Sequence, residues 1–109
     1  MITIEDLDKV DIRVGTVTAV SINQKARKPA YKVTLDLGPE LGTKTSSAQI
    51  TALYDPKDLL GKQLLCCTNL NPMYIGSVKS EVRILGTDSA QGVVLLTPME
   101  RVENGDWLF

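Results

Sequence analysis

The sequence predicts one all-β domain, a small barrel of short strands. Apolar and β-branched residues alternate with polar ones in five or more short segments, and turn-forming residues separate them. Helical patterns are almost absent, and the length of 109 residues suffices for one core but not two. One helical turn is predicted between the third and fourth long strands. That position is typical of the five-stranded Greek-key barrel known as the OB-fold.

The amino-terminal segment predicts a helical turn followed by a long strand. Thr3 and Asp6 have the spacing of a capping box, which predicts a short helix over Ile4–Asp8. Asp11–Ile22 is rich in Val, Ile and Thr and predicts the first strand. Gly15 lies within that strand and indicates a bulge or a sharp bend, as a small barrel requires.

The middle of the chain predicts three further strands and the second helical turn. Tyr31–Leu37 alternates apolar and polar residues, as a half-buried strand does, and Thr43–Ile50 is polar on both faces but compatible with a strand. Asp55 and the proline after it predict the start of a helical turn that ends at Gly61. The apolar segment Gln63–Leu70 predicts a buried strand.

The carboxy-terminal part predicts two short strands and an apolar tail. Glu81–Leu85 and Val93–Thr97 are the strands, and Gly and Asp residues in the segment between them indicate a turn. The tail ends in Trp107, Leu108 and Phe109, which include the only Trp and the only Phe. An exposed terminus this apolar would favour aggregation in solution. We therefore expect it to dock across the twofold interface of a homodimer.

The composition favours a binding module over an enzyme. The chain has no histidine, which removes the commonest general base and the commonest transition-metal ligand. Cys66 and Cys67 are adjacent, a spacing that suits neither a metal site nor a disulfide framework and is compatible with a reducing cytoplasm. No nucleophile-elbow or phosphate-loop motif is present. We therefore predict no cofactor, no metal, no membrane insertion and a cytoplasmic location.

The net charge of −1 conceals an uneven distribution. Residues 25–83 hold nine basic and five acidic side chains, whereas both ends of the chain are acidic. No Asp or Glu occurs from Val14 to Leu35, where Lys25, Arg27 and Lys28 lie in the loop before the second strand. Two interpretations are open: a solvated edge protected by lysine, or a surface for a negatively charged partner.

Two other segments could share a face with this basic loop. The strand TKTSSAQI, Thr43–Ile50, offers hydroxyls and an amide, and Asn69–Gly86 carries Lys79, Ser80 and Arg83. Such groups contact phosphates, riboses or base edges in RNA complexes, although an ordinary exposed edge would have the same composition. A barrel could bring the three segments onto one open face, the face with which OB-folds bind oligonucleotides or oligosaccharides.

Several motifs together resemble the tRNA-binding domain family, over essentially the whole chain. They are DIRVGTV, a basic loop leading into YKVTLDLG, TSSAQI, LLGKQLL, NLNP, S-x-K-S-E and GVVLLTP. The family includes the carboxy-terminal appendage of many methionyl-tRNA synthetases and free-standing homodimeric proteins. KPAYK, GTKTSSAQIT and the tail ending in LF are most similar to its CsaA branch, described as secretion-related chaperones.

The resemblance implies an OB-fold, a homodimer built partly from both terminal extensions, and tRNA as the partner. Ser80 matches a position implicated in tRNA contact, whereas Gly76, Val82 and Arg83 replace an arginine, a glycine and a methionine that are typical of synthetase appendages. The CsaA branch implies a competing function, the binding of unfolded preprotein segments. On the surface that binds tRNA, positive charge is expected from Lys28, Lys32, Lys44, Lys79 and Arg83. Directed hydrogen bonds are expected from Ser46, Asn69 and Ser80.

Overall fold

The structure is a computed structural model that describes residues 1–109. Three short helices and nine strands follow one another along the chain: α1 Ile4–Asp8, β1 Ile12–Ile22, β2 Tyr31–Asp36, α2 Gly38–Leu41, β3 Thr43–Ala48, α3 Pro56–Leu59, β4 Gln63–Cys67, β5 Met73–Ile75, β6 Val78–Ser80, β7 Arg83–Ile84, β8 Gly86–Ser89 and β9 Gly92–Leu95. The longest helix has five residues, so none of the three could span a bilayer. The predicted all-β architecture is confirmed.

One curled antiparallel sheet forms the barrel, with the strand order β3-β2-β1-β4-β7. The long strand β1 serves both halves, since its first part pairs with β4 and its second part with β2. The predicted bulge is present but lies between Val17 and Ala19, not at Gly15. Gly15 is needed for a different reason: a Cβ there would be 2.8 Å from Cδ2 of Leu37, which packs across the strand.

The hairpin of β5 and β6 packs against β3 and narrows the open side of the sheet. The Ser47 amide donates to Oγ of Ser80 at 3.0 Å, and the Glu81 amide donates to the Thr45 carbonyl at 2.8 Å. The Thr45 hydroxyl donates to the Lys79 carbonyl at 2.6 Å. These bonds fix the hairpin beside the third strand, so the segment that carries Lys79 and Ser80 has a defined position.

The core lies inside the curl of the sheet. Strand β2 shows its construction: Val33 and Leu35 are fully buried, whereas Lys32 before them is exposed and Thr34 between them is partly exposed, as the alternation predicts. Tyr31 is also buried, and its hydroxyl donates to the Tyr54 carbonyl at 2.7 Å, which satisfies the polar end of a core residue. The eleven residues of the cluster are Val17, Tyr31, Val33, Leu35, Leu37, Ala48, Ile50, Leu59, Leu64, Cys66 and Val82.

The carboxy-terminal tail runs beside the start of β1. The Val14 amide donates to the Asp106 carbonyl at 3.0 Å, and the Leu108 amide donates to the Ile12 carbonyl at 2.9 Å. The backbones of Trp107 and Arg13 form an isolated antiparallel β-bridge, and the guanidinium carbon of Arg13 lies 4.6 Å from the centre of the indole ring. The tail thus docks on its own chain through the backbone, and the side chains of Trp107, Leu108 and Phe109 stay largely exposed.

Candidate nucleic-acid interface

A cleft of about 490 Å³ separates the loop before β2 from the β5–β6 hairpin, a volume typical of a small-ligand site. We name it the basic cleft, because three of its ten lining residues are cationic and none is acidic. Its lining residues are Lys25, Ala26, Arg27, Lys28, Ala30, Ser47, Gln49, Tyr74, Ile75 and Gly76. In a chain with a net charge of −1, this concentration of positive charge selects for an anionic ligand.

Asn23 holds the walls of the basic cleft together from below. Its side chain is buried, and Nδ2 donates to Oγ of Ser47 and to the carbonyl of Ile75, both at 2.9 Å. The backbone amide of Asn23 donates to the Ala30 carbonyl at 2.9 Å, which closes the base of the loop. One residue thereby connects the loop, β3 and the hairpin, so the cleft is preformed.

Gly76 provides the second connection between the walls. Its φ of +61° lies in the left-handed region, and a Cβ there would be 2.7 Å from the carbonyl carbon of Lys25. Glycine is therefore required twice, for the turn at the tip of the hairpin and for the close approach of the basic loop. The resemblance showed glycine here in place of an arginine, and the structure supplies the steric reason for it.

Strand register adds two lysines beside the basic cleft. Lys32 is paired with Ser47 across β2 and β3, and Lys79 with Tyr74 across the hairpin. Directly paired residues on antiparallel strands share a face, so both lysines adjoin residues that line the cleft. The ion pairs of the molecule involve none of these lysines and none of the three cleft cations. Their charge is thus free to attract a partner.

A second depression, of about 660 Å³, meets the basic cleft at Ser47, Gln49 and Ile75. We name it the mixed groove. Its charged residues have both signs, Arg83 with Glu81 and Asp88, and nine of its nineteen lining residues are apolar. Two of the apolar side chains, Leu70 and Met73, are 51% and 62% exposed. Its chemistry suits a polypeptide better than a run of phosphates.

The structure places six of the predicted site residues at or beside these two depressions. Lys28 lines the basic cleft, and Lys32 and Lys79 adjoin it. Ser46, Ser80 and Arg83 line the mixed groove. The Ser80 oxygen already accepts the Ser47 amide, so this hydroxyl also holds the hairpin in place.

Among the predicted residues, Ser46 is almost fully buried, and Asn69 and Lys44 have partners within the chain. Ser46 lines the mixed groove but is only 1% exposed, so little of its hydroxyl is open to a ligand, and its hydrogen bond to RNA stays a prediction. The Asn69 oxygen accepts the Asp11 amide at 3.0 Å, and its nitrogen donates to the Lys9 carbonyl at 2.7 Å. Lys44 lies 3.8 Å from a carboxylate oxygen of Glu81, which offsets its charge.

The sequence interpretation did not include Tyr74, Ser47 or Gln49 among the site residues. Tyr74 is 72% exposed, an unusual position for an aromatic ring, and it lies in a hairpin too short for a visible alternation. Ser47 and Gln49 follow the phase opposite to Ser46 and Ala48, which are buried. The period of two along this segment is the signal that could have found Ser47 and Gln49, because it places them on the more exposed face.

No group of three or more metal-ligating side chains is arranged to hold a metal ion. The curled five-stranded sheet, the helical turn before β4 and the cleft beside the third strand define the OB-fold class. Residues 12–107 match the family model described as "Putative tRNA binding domain". The chain belongs to this tRNA-binding domain family.

Related sequences and structures agree with that assignment. The chain is 35% identical over 106 residues to the methionine–tRNA ligase of Methanococcoides burtonii and 40% identical over 105 residues to that of Methanoregula boonei. It covers only 15% of the length of either ligase, and 96% of its own. The CsaA chaperone protein of Picrophilus torridus matches over the full length of both chains, with 43% identity and a TM-score of 0.95. The CsaA chaperone of Bacillus anthracis matches with 43% identity and a TM-score of 0.92, over 100% of this chain and 99% of the other.

Proposed function

We propose that residues 1–109 form one tRNA-binding domain that acts as a homodimer and carries out no catalysis. The observation that carries this proposal is the basic cleft, in which three cations and no acid face a single opening. The family match and the relationship to methionine–tRNA ligases support tRNA as the anion. The protein would hold the RNA chiefly by its phosphates, since the free cations outnumber the groups that could distinguish bases.

The homodimer is proposed from unpartnered apolar side chains at both ends of the chain. Helix α1 buries none of its residues, although it carries Ile4 and Leu7, which are 65% and 47% exposed. The tail beside β1 exposes Trp107 and Phe109 as well. A five-residue helix with no buried face is not stable in isolation. A second copy that covered the helix and the tail would stabilise both.

Deletion of residues 106–109 tests the dimer. We expect the full chain to sediment at twice its subunit mass of 11.9 kDa and the shortened chain to be monomeric or aggregated. A soluble dimer that survives the deletion would contradict the proposed role of the tail.

Binding of unfolded preprotein segments is the second candidate function. The mixed groove favours it, because exposed Leu70 and Met73 lie beside polar groups that could bond a peptide backbone. The proteins named CsaA chaperone at 43% identity are consistent with this alternative. A groove with charges of both signs would bind peptides by apolar contact, with little dependence on salt.

Purification at two salt concentrations distinguishes the candidates. An RNA-binding protein should carry nucleic acid, seen as excess absorbance at about 260 nm, and should lose it when salt is raised from roughly 50 to 500 mM, because counterion release drives phosphate binding. A chaperone with no RNA function should show no such absorbance and should instead slow the aggregation of an unfolded protein at both salt concentrations.

A further inference from the structure

The surface of the basic cleft indicates a more specific ligand than a row of phosphates. We infer that the basic cleft receives one unpaired nucleotide of the bound RNA, with its base stacked on Tyr74 and its flanking phosphates on the loop before β2. This inference rests on the proposed RNA-binding function and specifies the part of the RNA that the cleft takes.

Tyr74 provides the stacking surface. Its side chain is 72% exposed, forms no hydrogen bond within the chain and lines the cleft opposite the cationic loop. Core packing accounts for Tyr31 and Tyr54, whose hydroxyls both bond the backbone, but it does not account for Tyr74. Proteins that bind unpaired nucleic acid present exposed aromatic rings beside cations in this way, and the bases stack on those rings.

The ring has charge on both sides. Lys79 is paired with it on the next strand of the hairpin, and Lys25, Arg27 and Lys28 face it across the cleft. A nucleotide whose base lies on the ring would therefore have its phosphates within reach of cations. An apolar peptide side chain on the same ring would gain nothing from these charges, so the cleft is better matched to a nucleotide.

The floor of the cleft offers polar groups that suit the edge of a base. Gln49 is exposed and offers both a donor and an acceptor, and the Ser47 hydroxyl lies beside it. Beneath them, Asn23 is 5% exposed and its Oδ1 has no hydrogen-bond partner, although its Nδ2 is bonded to Ser47 and Ile75 of the lining. Asn23 itself lines neither depression, so the polar groups that the floor offers to a base are those of Ser47 and Gln49.

An unpaired nucleotide is required because a paired one cannot use this site. In a duplex both faces of a base are covered by its neighbours and its Watson–Crick edge is occupied, so neither Tyr74 nor Gln49 could reach it. The two walls are also joined at Gly76 and Lys25, which closes one end of the cleft against a continuous helix. Loops, bulges and single-stranded ends of a folded RNA remain as ligands.

Matched RNA probes and single substitutions test the inference. The probes are a tRNA, a hairpin with a four-nucleotide single-stranded end, and a blunt duplex with the same number of phosphates. Stacking measured by alanine substitution corresponds to roughly 5- to 150-fold in affinity for one base. We expect Tyr74→Ala to weaken binding of the tRNA and the tailed hairpin within that range, with an unchanged salt slope. Binding of the blunt duplex should not change.

Two control substitutions separate stacking from a general effect on the hairpin. Tyr74→Phe keeps the ring and should bind within about twofold of the wild type, because stacking needs only the π face. Met73→Ala removes the neighbouring exposed side chain, which lines the mixed groove and not the basic cleft, and should bind RNA as the wild type does. Since Tyr74 is exposed, its variants should keep the far-ultraviolet circular dichroism of the fold.

The outcomes distinguish this inference from the function on which it rests. If the wild type binds tRNA and Tyr74→Ala binds it equally well, the nucleotide site is refuted and the RNA-binding function stands. Equal loss for the blunt duplex and the tailed hairpin would also refute the site. If the wild type binds no RNA at roughly 50 mM salt, the proposed function fails and the inference with it. Loss of peptide binding alone in Tyr74→Ala would assign the ring to a polypeptide and overturn the inference.

Discussion

Substitution of Arg13 by methionine should loosen the carboxy-terminal tail. Arg13 is the only charged residue among the buried ones. It donates from Nε to Asp11 at 2.9 Å and from one terminal nitrogen to Glu40 at 2.9 Å, and it lies 4.6 Å from the centre of the Trp107 ring. These hydrogen bonds, first to Asp11 and then to Glu40, raise the pKa of Arg13 above its ordinary value, so its charge is permanent.

The three contacts set the expected loss of stability. The Asp11 pair is the strongest, because Arg13 is buried and hydrogen bonds to charged groups contribute about 1.5–3 kcal/mol. The Glu40 side chain is 69% exposed, so its pair contributes only about 0.5 kcal/mol. The cation–π contact of Arg13 with the exposed ring of Trp107 contributes about 0.5–1 kcal/mol. Removal of the guanidinium also removes its desolvation cost, so we expect Arg13→Met to lose about 2–3 kcal/mol.

Urea unfolding measures this loss, and hydrogen exchange locates it. The amides of Gly105 and Leu108, which bond β1 from the tail, should exchange several-fold faster in the variant. Lys9→Met is the matched control, because Lys9 pairs with Asp6 at 3.4 Å but is 78% exposed, and it should cost less than about 0.5 kcal/mol. Equal losses for the two variants, with unchanged exchange in the tail, would refute the role given to Arg13.

Three further predictions follow from particular residues. The hydrogen bond from Arg13 holds the pKa of Asp11 below its ordinary value of 3.8, so this carboxylate stabilises the fold above that pH, and its contribution is lost as the pH falls through the lowered pKa. The urea midpoint of Asp11→Asn should therefore fall less steeply below about pH 4 than that of the wild type. Equal slopes would contradict this prediction. Burial raises the pKa of Cys66 to about 12, so iodoacetamide at about pH 8 should alkylate this thiol only in the unfolded protein. Rapid alkylation of the native protein would contradict the burial of this thiol. Gly76→Ala should lose more stability and tRNA affinity than Gly61→Ala. Both glycines have positive φ, but only at Gly76 would an added Cβ lie within 4 Å of another part of the chain. Equal effects in urea unfolding and filter binding would argue against this contact.

Local chemistry explains which parts of the fold were predictable. Helix α1 follows from the capping box of Thr3 and Asp6, and both of its hydrogen bonds are present. The helical turn α3 follows from Asp55 at its N-cap and the proline after it, and the Asp55 amide donates to the Asp58 side chain at 3.2 Å. Such patterns are contained within four residues of sequence, so tertiary contacts do not override them.

Long-range contacts explain what was missed. Asn69 is predicted to supply a directed hydrogen bond to RNA, but its side-chain oxygen accepts the amide of Asp11, which lies 58 residues earlier in the chain. The β5–β6 hairpin has three residues in each strand, too few for a hydrophobic period, and is held in place by β3. Ser46 is predicted from its hydroxyl, whereas the alternation of burial along β3 places it on the buried face together with Ala48. For Asn69 and for the hairpin, the partner that decides the position is distant in sequence.

The salt dependence of tRNA binding tests the role of the basic cleft most directly. Filter binding across a salt series compares the wild type with the double variant Arg27→Ala and Lys28→Ala, which removes two unpaired cations from the cleft lining. The control is Lys57→Ala with Lys62→Ala, which removes two exposed cations outside both depressions. Each lost phosphate contact lowers the slope by roughly 0.7 to 0.9, so the cleft variant should bind more weakly with a slope about one to two smaller, and the control should match the wild type. A cleft variant that keeps the affinity and slope of the wild type would contradict the account and leave the basic loop as a solvated edge.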